Sequence, residues 1–458
     1  MQRELTINGR GSVITPPTGG LTKPRSRWRR LASGAAAVSA SQAITAGGSL
    51  VLQIIAARHL GLAGYGAFAL CLSLLSSAVA LYTGYVGDAL TVLDRRDPLV
   101  RRPLAFSAIV ALALCFALAF TMVLVLNLGD VRIALIYAVM ILLWLVEETG
   151  RRVLMARLEF WRLVANDATY MAVTLVALGA MVATGAKLSL GLMLACMAAG
   201  ATVAIILARL QLPAREYRDL SPTIEGSVAV GQFALWRSLQ STLRPTQLLV
   251  ARVLILQLGS LAAVGVVEAG RLVVAPIQTV LNGASSFLLS TGAEGARSKG
   301  RNHRLNQQAS LVLVTMTLVG GGLAALLSHP LGRLMAGRPV SALLILGWTG
   351  YMAMWAASLP FTAELTVRKL SWPVFLARSV ENVAGLAILG AVLLGGASSS
   401  LAPWILSAPA LINTWYLRRL AVRTRPVPTP VITPVRRYGW VMVDQVEPPP
   451  SRSVAMGR

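Results

Sequence analysis

The sequence predicts an all-α polytopic membrane protein, with about twelve transmembrane helices in two six-helix lobes around a central cavity. Composition is the first reason. Of 458 residues, 55% are hydrophobic and 13% charged, and the mean hydropathy is +0.67, whereas soluble domains carry roughly 25% charged residues. The second reason is that apolar runs long enough to cross a bilayer recur along most of the chain. The third is an internal echo between the two halves.

In order along the chain, residues 1–34 are basic and polar, with Pro16, Pro17, Gly19 and Gly20. They predict a disordered cytoplasmic tail. The first apolar run begins near Leu31 and shows no cleavage signal, so a cleaved signal peptide is not expected. Candidate spans follow at 35–57, 63–86, 104–126, 131–148, 164–184 and 188–208, making an N-lobe over 35–209. A cytoplasmic linker covers 210–227. Six more spans, at 228–256, 260–288, 308–327, 341–359, 372–395 and 399–418, make a C-lobe over 228–420. The segment 421–458 carries Pro426, Pro428, Pro430, Pro434 and Pro448 to Pro450, and predicts an extended cytoplasmic tail.

The net charge of +24 is distributed as membrane topology requires. With the N-terminus cytoplasmic, and with Arg132 and Arg418 at span ends counted with the adjoining segments, 32 of the 42 Lys and Arg fall in inner segments, 5 in outer loops and 5 within spans. That asymmetry places both termini inside. With no soluble basic domain, nucleic acid is not an expected partner. Cys71, Cys115 and Cys196 sit in apolar runs without zinc-site spacing, and His59, His303 and His329 are scattered. There is no P-loop, and no paired acidic motif in a large outer loop. No enzyme activity, metal or cofactor is expected.

The internal echo has two parts. Leu60-Gly61 with Gly66 returns as Leu258-Gly259 with Gly265, and Leu154-x-x-Arg157-x-x-x-Trp161 returns as Leu365-x-x-Arg368-x-x-x-Trp372, at an offset of 211. Six spans separate the copies, so both have the same orientation and the duplication is parallel.

The polar residues inside spans carry the functional reading. Arg237, Arg244 and Arg252 stand at i, i+7 and i+15 in the seventh span, on one helix face at about 100° per residue. Charge in the bilayer interior is costly and marks a partner or a watery path. Pro245 follows Arg244 and predicts a kink or a freed carbonyl there. Arg252 sits far enough along the span to snorkel to the outer interface. The eighth span carries Glu268, Arg271, Gln278 and Asn282, and the first carries Gln42, Thr45, Ser49 and Gln53. Arg237, Arg244, Arg271, Gln278, Asn282, Gln42 and Ser49 are the candidate cavity residues. Glu268 with Arg271 and Arg378 with Glu381 are i,i+3 pairs, and Glu147 and Glu148 precede Arg151 and Arg152 at the end of the fourth span. With Asp88, which can face Arg95 or Arg96, these acids and Arg378 are the coupling or gating candidates. Plainer readings stand beside each: interhelical hydrogen bonds for Gln42, Thr45 and Ser49, a satisfied ion pair for Arg378 and Glu381, and a solvated helix end for Glu147 and Glu148.

The segment from Ala56 to Phe68, Ala-Ala-Arg-His-Leu-Gly-Leu-Ala-Gly-Tyr-Gly-Ala-Phe, resembles the loop between the first two helices of Wzx-type polysaccharide flippases of the multidrug/oligosaccharidyl-lipid/polysaccharide exporter superfamily. With the twelve spans and both echoes, the resemblance covers roughly residues 35–420. It implies a flippase of the bacterial inner membrane that moves undecaprenyl-pyrophosphate-linked oligosaccharide outward by alternating access. It also implies a cavity lined mainly by the first, second, seventh and eighth helices. The lipid-linked oligosaccharide and membrane lipids are the implied partners, with a polysaccharide polymerase and a chain-length regulator as further candidates. Guanidinium forks suit a pyrophosphate. Two alternatives are carried beside it: a cation-coupled exporter of small molecules, and a non-transporting scaffold of a polysaccharide-assembly complex. The drug-exporting branch often uses acidic residues in the first helix, and this first span has none.

Overall fold

The computed structural model describes residues 24–87, 89–90, 98–216, 222–223, 227–297, 303–368 and 370–424. Asp88 with Arg95 and Arg96, most of the N-terminal tail, and the proline-rich tail from 425 onward lie outside the described residues. Thirteen α-helices occur among the described residues, and twelve are 22 residues or longer. These are α1 (Pro24–His59), α2 (Gly61–Tyr82), α3 (Pro98–Val125), α4 (Val131–Ala156), α5 (Phe160–Ala183), α6 (Leu190–Gln211), α7 (Ser227–Leu258), α8 (Leu261–Arg297), α9 (His303–Leu326), α10 (Ala342–Val367), α11 (Ser371–Leu394) and α12 (Ala402–Arg423). Nine of the described helices are long and apolar enough to cross a membrane. Outward faces carry residues such as Leu114, Val125, Val176 and Leu210, which remain exposed as lipid-facing side chains do.

Local chemistry sets several boundaries. The Asp130 side chain accepts a hydrogen bond from the Ile133 N–H at the start of α4, and Ser189 does the same for Leu192 at the start of α6. A short helix, Ser328–Ala336, lies between α9 and α10 where a loop is expected, and ends at Gly337 in the left-handed conformation (φ 69°). Several helices outrun their predicted limits, and two of these extensions bear on polar residues. The α4 helix continues to Ala156 and α8 to Arg297, so residues expected at or beyond a helix end belong to helix interiors. Pro245 and Pro276 lie inside continuous helices.

The duplication is visible in the packing. In the N-lobe, α4 packs on α3 and α6, α5 on α6, and α1 on α5; in the C-lobe, α10 packs on α9 and α12, α11 on α12, and α7 on α11. Adding six to each N-lobe helix number gives its C-lobe counterpart. The lobes meet through α2, which packs on both α7 and α8.

Both sequence echoes have structural roles. Gly66 and Gly265 lie where α2 and α8 cross: a Cβ on Gly66 would overlap the Leu261 carbonyl oxygen, and one on Gly265 the Leu62 carbonyl oxygen. Only glycine lets the two backbones meet there. Arg157 ties the end of α4 to Glu216 beyond α6 (2.9 Å), and Arg368 ties the end of α10 to the Ala421 and Thr424 carbonyls at the end of α12 (2.9 and 2.7 Å). Trp161 and Trp372 are exposed at the same end of the bundle, as membrane-interface tryptophans are.

Candidate functional site

A cavity of about 570 Å³ lies between the lobes. Its polar lining comes from Thr45, Ser49 and Gln53 of α1, Ser73 and Ser76 of α2, Glu148, Arg151 and Arg152 of α4, and Tyr170 of α5. Arg244 and Arg252 of α7 and Arg271, Gln278, Thr279 and Asn282 of α8 complete it. The helices α1, α2, α7 and α8 contribute as expected, and α4 and α5 add a third wall.

The α7–α8 wall is cationic. Glu268, buried on α8, accepts from Arg252 Nε at 2.7 Å and from Arg271 Nε at 2.6 Å. Arg271 also donates to Gln53 Oε1 across the lobe boundary at 2.9 Å and to Gln278 Oε1 at 3.4 Å. One carboxylate thus serves two guanidinium groups. Arg244 has no carboxylate within ion-pair distance among the described residues; its guanidinium lies 3.4 Å from the Trp355 ring centroid and 5.6 Å from that of Tyr351. Its Nε is buried and has no hydrogen-bond partner.

The α4–α5 wall presents Glu148, Arg151 and Arg152 to the cavity, and behind them Glu147 and Asp167 complete a network of ion pairs. Arg151 donates to Glu148 at 2.5 Å and to Asp167 at 2.6 Å, and Arg152 donates to Glu148 at 2.7 Å. Glu147 stands 3.8 Å from Arg151 and takes a hydrogen bond from Asn166 at 2.6 Å, and Ser41 of α1 bonds Asp167. Three carboxylates face two guanidinium groups. The 211-residue offset carries Glu147, Arg151 and Asp167 onto Ser358, Thr362 and Arg378. In the C-lobe that node is built the other way round: Arg378 of α11 donates to Ser358 at 2.7 Å and Thr362 at 3.2 Å on α10, and pairs with Glu381 at 3.1 Å. This node borders a second cavity, of about 390 Å³, between α7, α10 and α11.

Several sequence expectations are revised by these placements. Gln42 is exposed and does not line the cavity: it shares the stripe of Ser49 and Gln53 but lies two turns before Ser49, and the α1 lining begins only at Thr45. Arg252 does not snorkel; it is 6% exposed and held by Glu268. Glu147 and Glu148 do not form a solvated helix end. They are 3% and 2% exposed, since α4 runs two turns past them. Arg237 lies in α7, but its side chain falls outside those described. Ser49, Gln278, Asn282, Arg244 and Arg271 all line the central cavity, whereas Arg378 and Glu381 line the second one.

No family model and no curated protein matches the sequence. Solved structures match over nearly all the helical chain. An inward-facing multidrug resistance MATE family transporter of the MOP superfamily aligns over 85% of this chain and 98% of its own, with TM-score 0.63 at 12% identity. The lipid II flippase MurJ in an inward closed conformation aligns over 86% and 87%, with TM-score 0.66 at 11% identity. A MOP superfamily transporter from Pyrococcus furiosus aligns over 85% and 96%, with TM-score 0.56 at 13% identity.

The chain has the fold of the MOP superfamily transporters.

Within this MOP fold, four contributing residues are missed or undervalued by sequence reasoning. Asn166 and Asp167 lie in an otherwise apolar stretch of the fifth span, and a census of buried charge that counted acids with arginines finds them. Gln53 was noticed only as part of a stripe, and its bond to Arg271 depends on how the lobes face each other. Trp355 carries no signal of its own, because an aromatic residue in a membrane helix is ordinary until a guanidinium lies on it.

Proposed function

We propose that this protein is a flippase that carries undecaprenyl-diphosphate-linked oligosaccharide across a bacterial inner membrane for polysaccharide export, with both termini cytoplasmic. The observation that carries the reading is the charge of the α7–α8 wall. Arg244, Arg252 and Arg271 face one cavity with Glu268 as their one carboxylate within ion-pair distance among the described residues. Two positive charges are left over, which complements a diphosphate. Guanidinium groups suit it because they offer paired donors without giving up their charge. The surplus carboxylate of the α4–α5 wall, Glu147, is the group we assign to coupling or gating. As the lobes rock, it can trade its distant Arg151 for a proton or cation.

The test is complementation of export in a strain lacking the protein. Arg244→Ala is expected to lower export at least tenfold at normal membrane abundance, because burying an anion without its counter-charge costs roughly 3–5 kcal/mol. Arg244→Lys is expected to restore part of it. Wild-type export by Arg244→Ala would remove the diphosphate role. A second reading, a cation-coupled exporter of small molecules, draws on the surplus carboxylate in the network behind the α4–α5 wall. Uptake of an organic cation into vesicles, with no lipid movement, would favour it.

A further inference from the structure

The second cavity has a chemistry that differs from the central one. Apart from Arg244, which it shares with the central cavity, its cation is Arg378, and that one is matched by Glu381, Ser358 and Thr362, so the α10–α11 wall offers no surplus charge to an ion. Its remaining surface combines aromatic side chains, Trp355, Tyr351 and Phe375, with the amides of Gln240, Gln247 and Asn382. Gln247 is 3% exposed; its Oε1 accepts from the Tyr351 hydroxyl at 3.2 Å, while its Nε2 is buried with no partner. Arg244 Nε, on the same lining, is in the same condition. Of the six buried side-chain atoms without a hydrogen-bond partner among the described residues, the two nitrogen donors both lie on this lining, and they call for a ligand or water that brings oxygen atoms. A pyranose ring does so: its hydroxyls accept and donate around the rim, and its C–H faces pack on aromatic rings. The volume of about 390 Å³ falls within the roughly 300–1,000 Å³ of small-molecule sites.

Arg244 lines both cavities. A diphosphate held by Arg244 and Arg271 in the central cavity therefore has its attached sugar at the mouth of the second. We propose that the cavity between α7, α10 and α11 is a carbohydrate subsite that holds a neutral pyranose of the cargo while the diphosphate stays on the α7–α8 wall. The proposal rests on the flippase reading above.

The experiment measures binding to the full chain in phosphatidylcholine nanodiscs. The probes are geranylgeranyl diphosphate and the same lipid diphosphate bearing one glucose, galactose or N-acetylglucosamine. At least one glycosylated probe is expected to bind about tenfold or more tightly than the sugarless one. Gln247→Leu removes the orphaned donor, and Thr366→Phe fills the cavity while keeping its amides. Each is expected to abolish the gain and to leave sugarless binding within about twofold of wild type. A gain that survives in either folded variant overturns the subsite. So does the absence of a gain for all three sugars when the sugarless probe still binds; water then fills the cavity and the flippase reading stands. If no diphosphate probe binds, the flippase reading falls and the subsite with it.

Discussion

Glu268 shows how a single side chain can set the charge of a cavity wall. It is 1% exposed and binds two guanidinium groups, one from each helix of the α7–α8 pair. Its removal strands both cations in a low-dielectric wall. Glu268→Gln is expected to destabilise the protein by roughly 3–5 kcal/mol, as breaking buried ion pairs does. Gln53→Ala, which takes one hydrogen bond from Arg271, should cost only about 1.5–3 kcal/mol. Thermal unfolding in detergent checks the order; equal melting of Glu268→Gln and wild type would mean that Glu268 does not organise the wall. At this scale the sequence was partly legible. Helical spacing was enough to put Arg244 and Arg271 among the cavity candidates. It could not tell that Arg252 shares the Glu268 carboxylate with Arg271, because that depends on the rotation of α7 against α8, which spacing within one helix does not set.

At the scale of elements, α2 and α8 cross at Gly66 and Gly265, beyond Ala69 and Arg271 at one end of the central cavity. Gly66 and Gly265 let the backbones meet there, and a side chain at either position has no room. Gly265→Leu is expected to hold that end apart. In a background without the native cysteines, a cysteine at Ser49 on the cavity wall should then react with an impermeant thiol reagent from outside the cell, and should stay protected when Gly265 is present. Unchanged protection would place the seal elsewhere. The glycine echo was readable in the sequence as a repeat, but its meaning was not, since two glycines 199 positions apart meet only once both lobes are folded. The end of α4 was misread for a related reason. Glu147, Glu148, Arg151 and Arg152 look like the polar end of a span, and they remain helical because Asp167 and Asn166 of α5 satisfy them inside the lobe.

For the whole molecule, the layout followed from quantities any single sequence holds: the count of apolar runs, the placement of Lys and Arg, and two repeated motifs. Each is additive along the chain, so errors at span ends leave the architecture intact. The grouping of charges around the cavity is not additive in this way; it needs the lobes placed face to face. Topology has a direct check. Cysteines at Lys187 and Ser398 are expected to react with an impermeant thiol reagent applied to intact cells, and one at Leu158, exposed at the opposite end, is not. Labelling at Leu158 would reverse the orientation. The cargo itself is tested most directly in proteoliposomes, by following a fluorescent prenyl-diphosphate-linked sugar from the leaflet where it is loaded to the leaflet where a membrane-impermeant quencher reaches it. The wild-type protein is expected to move the probe and Arg244→Ala to move it no faster than protein-free vesicles. Movement at the wild-type rate by Arg244→Ala, or no movement of the probe by a wild-type protein that transports an organic cation, would contradict a cationic cavity built for a lipid-linked diphosphate.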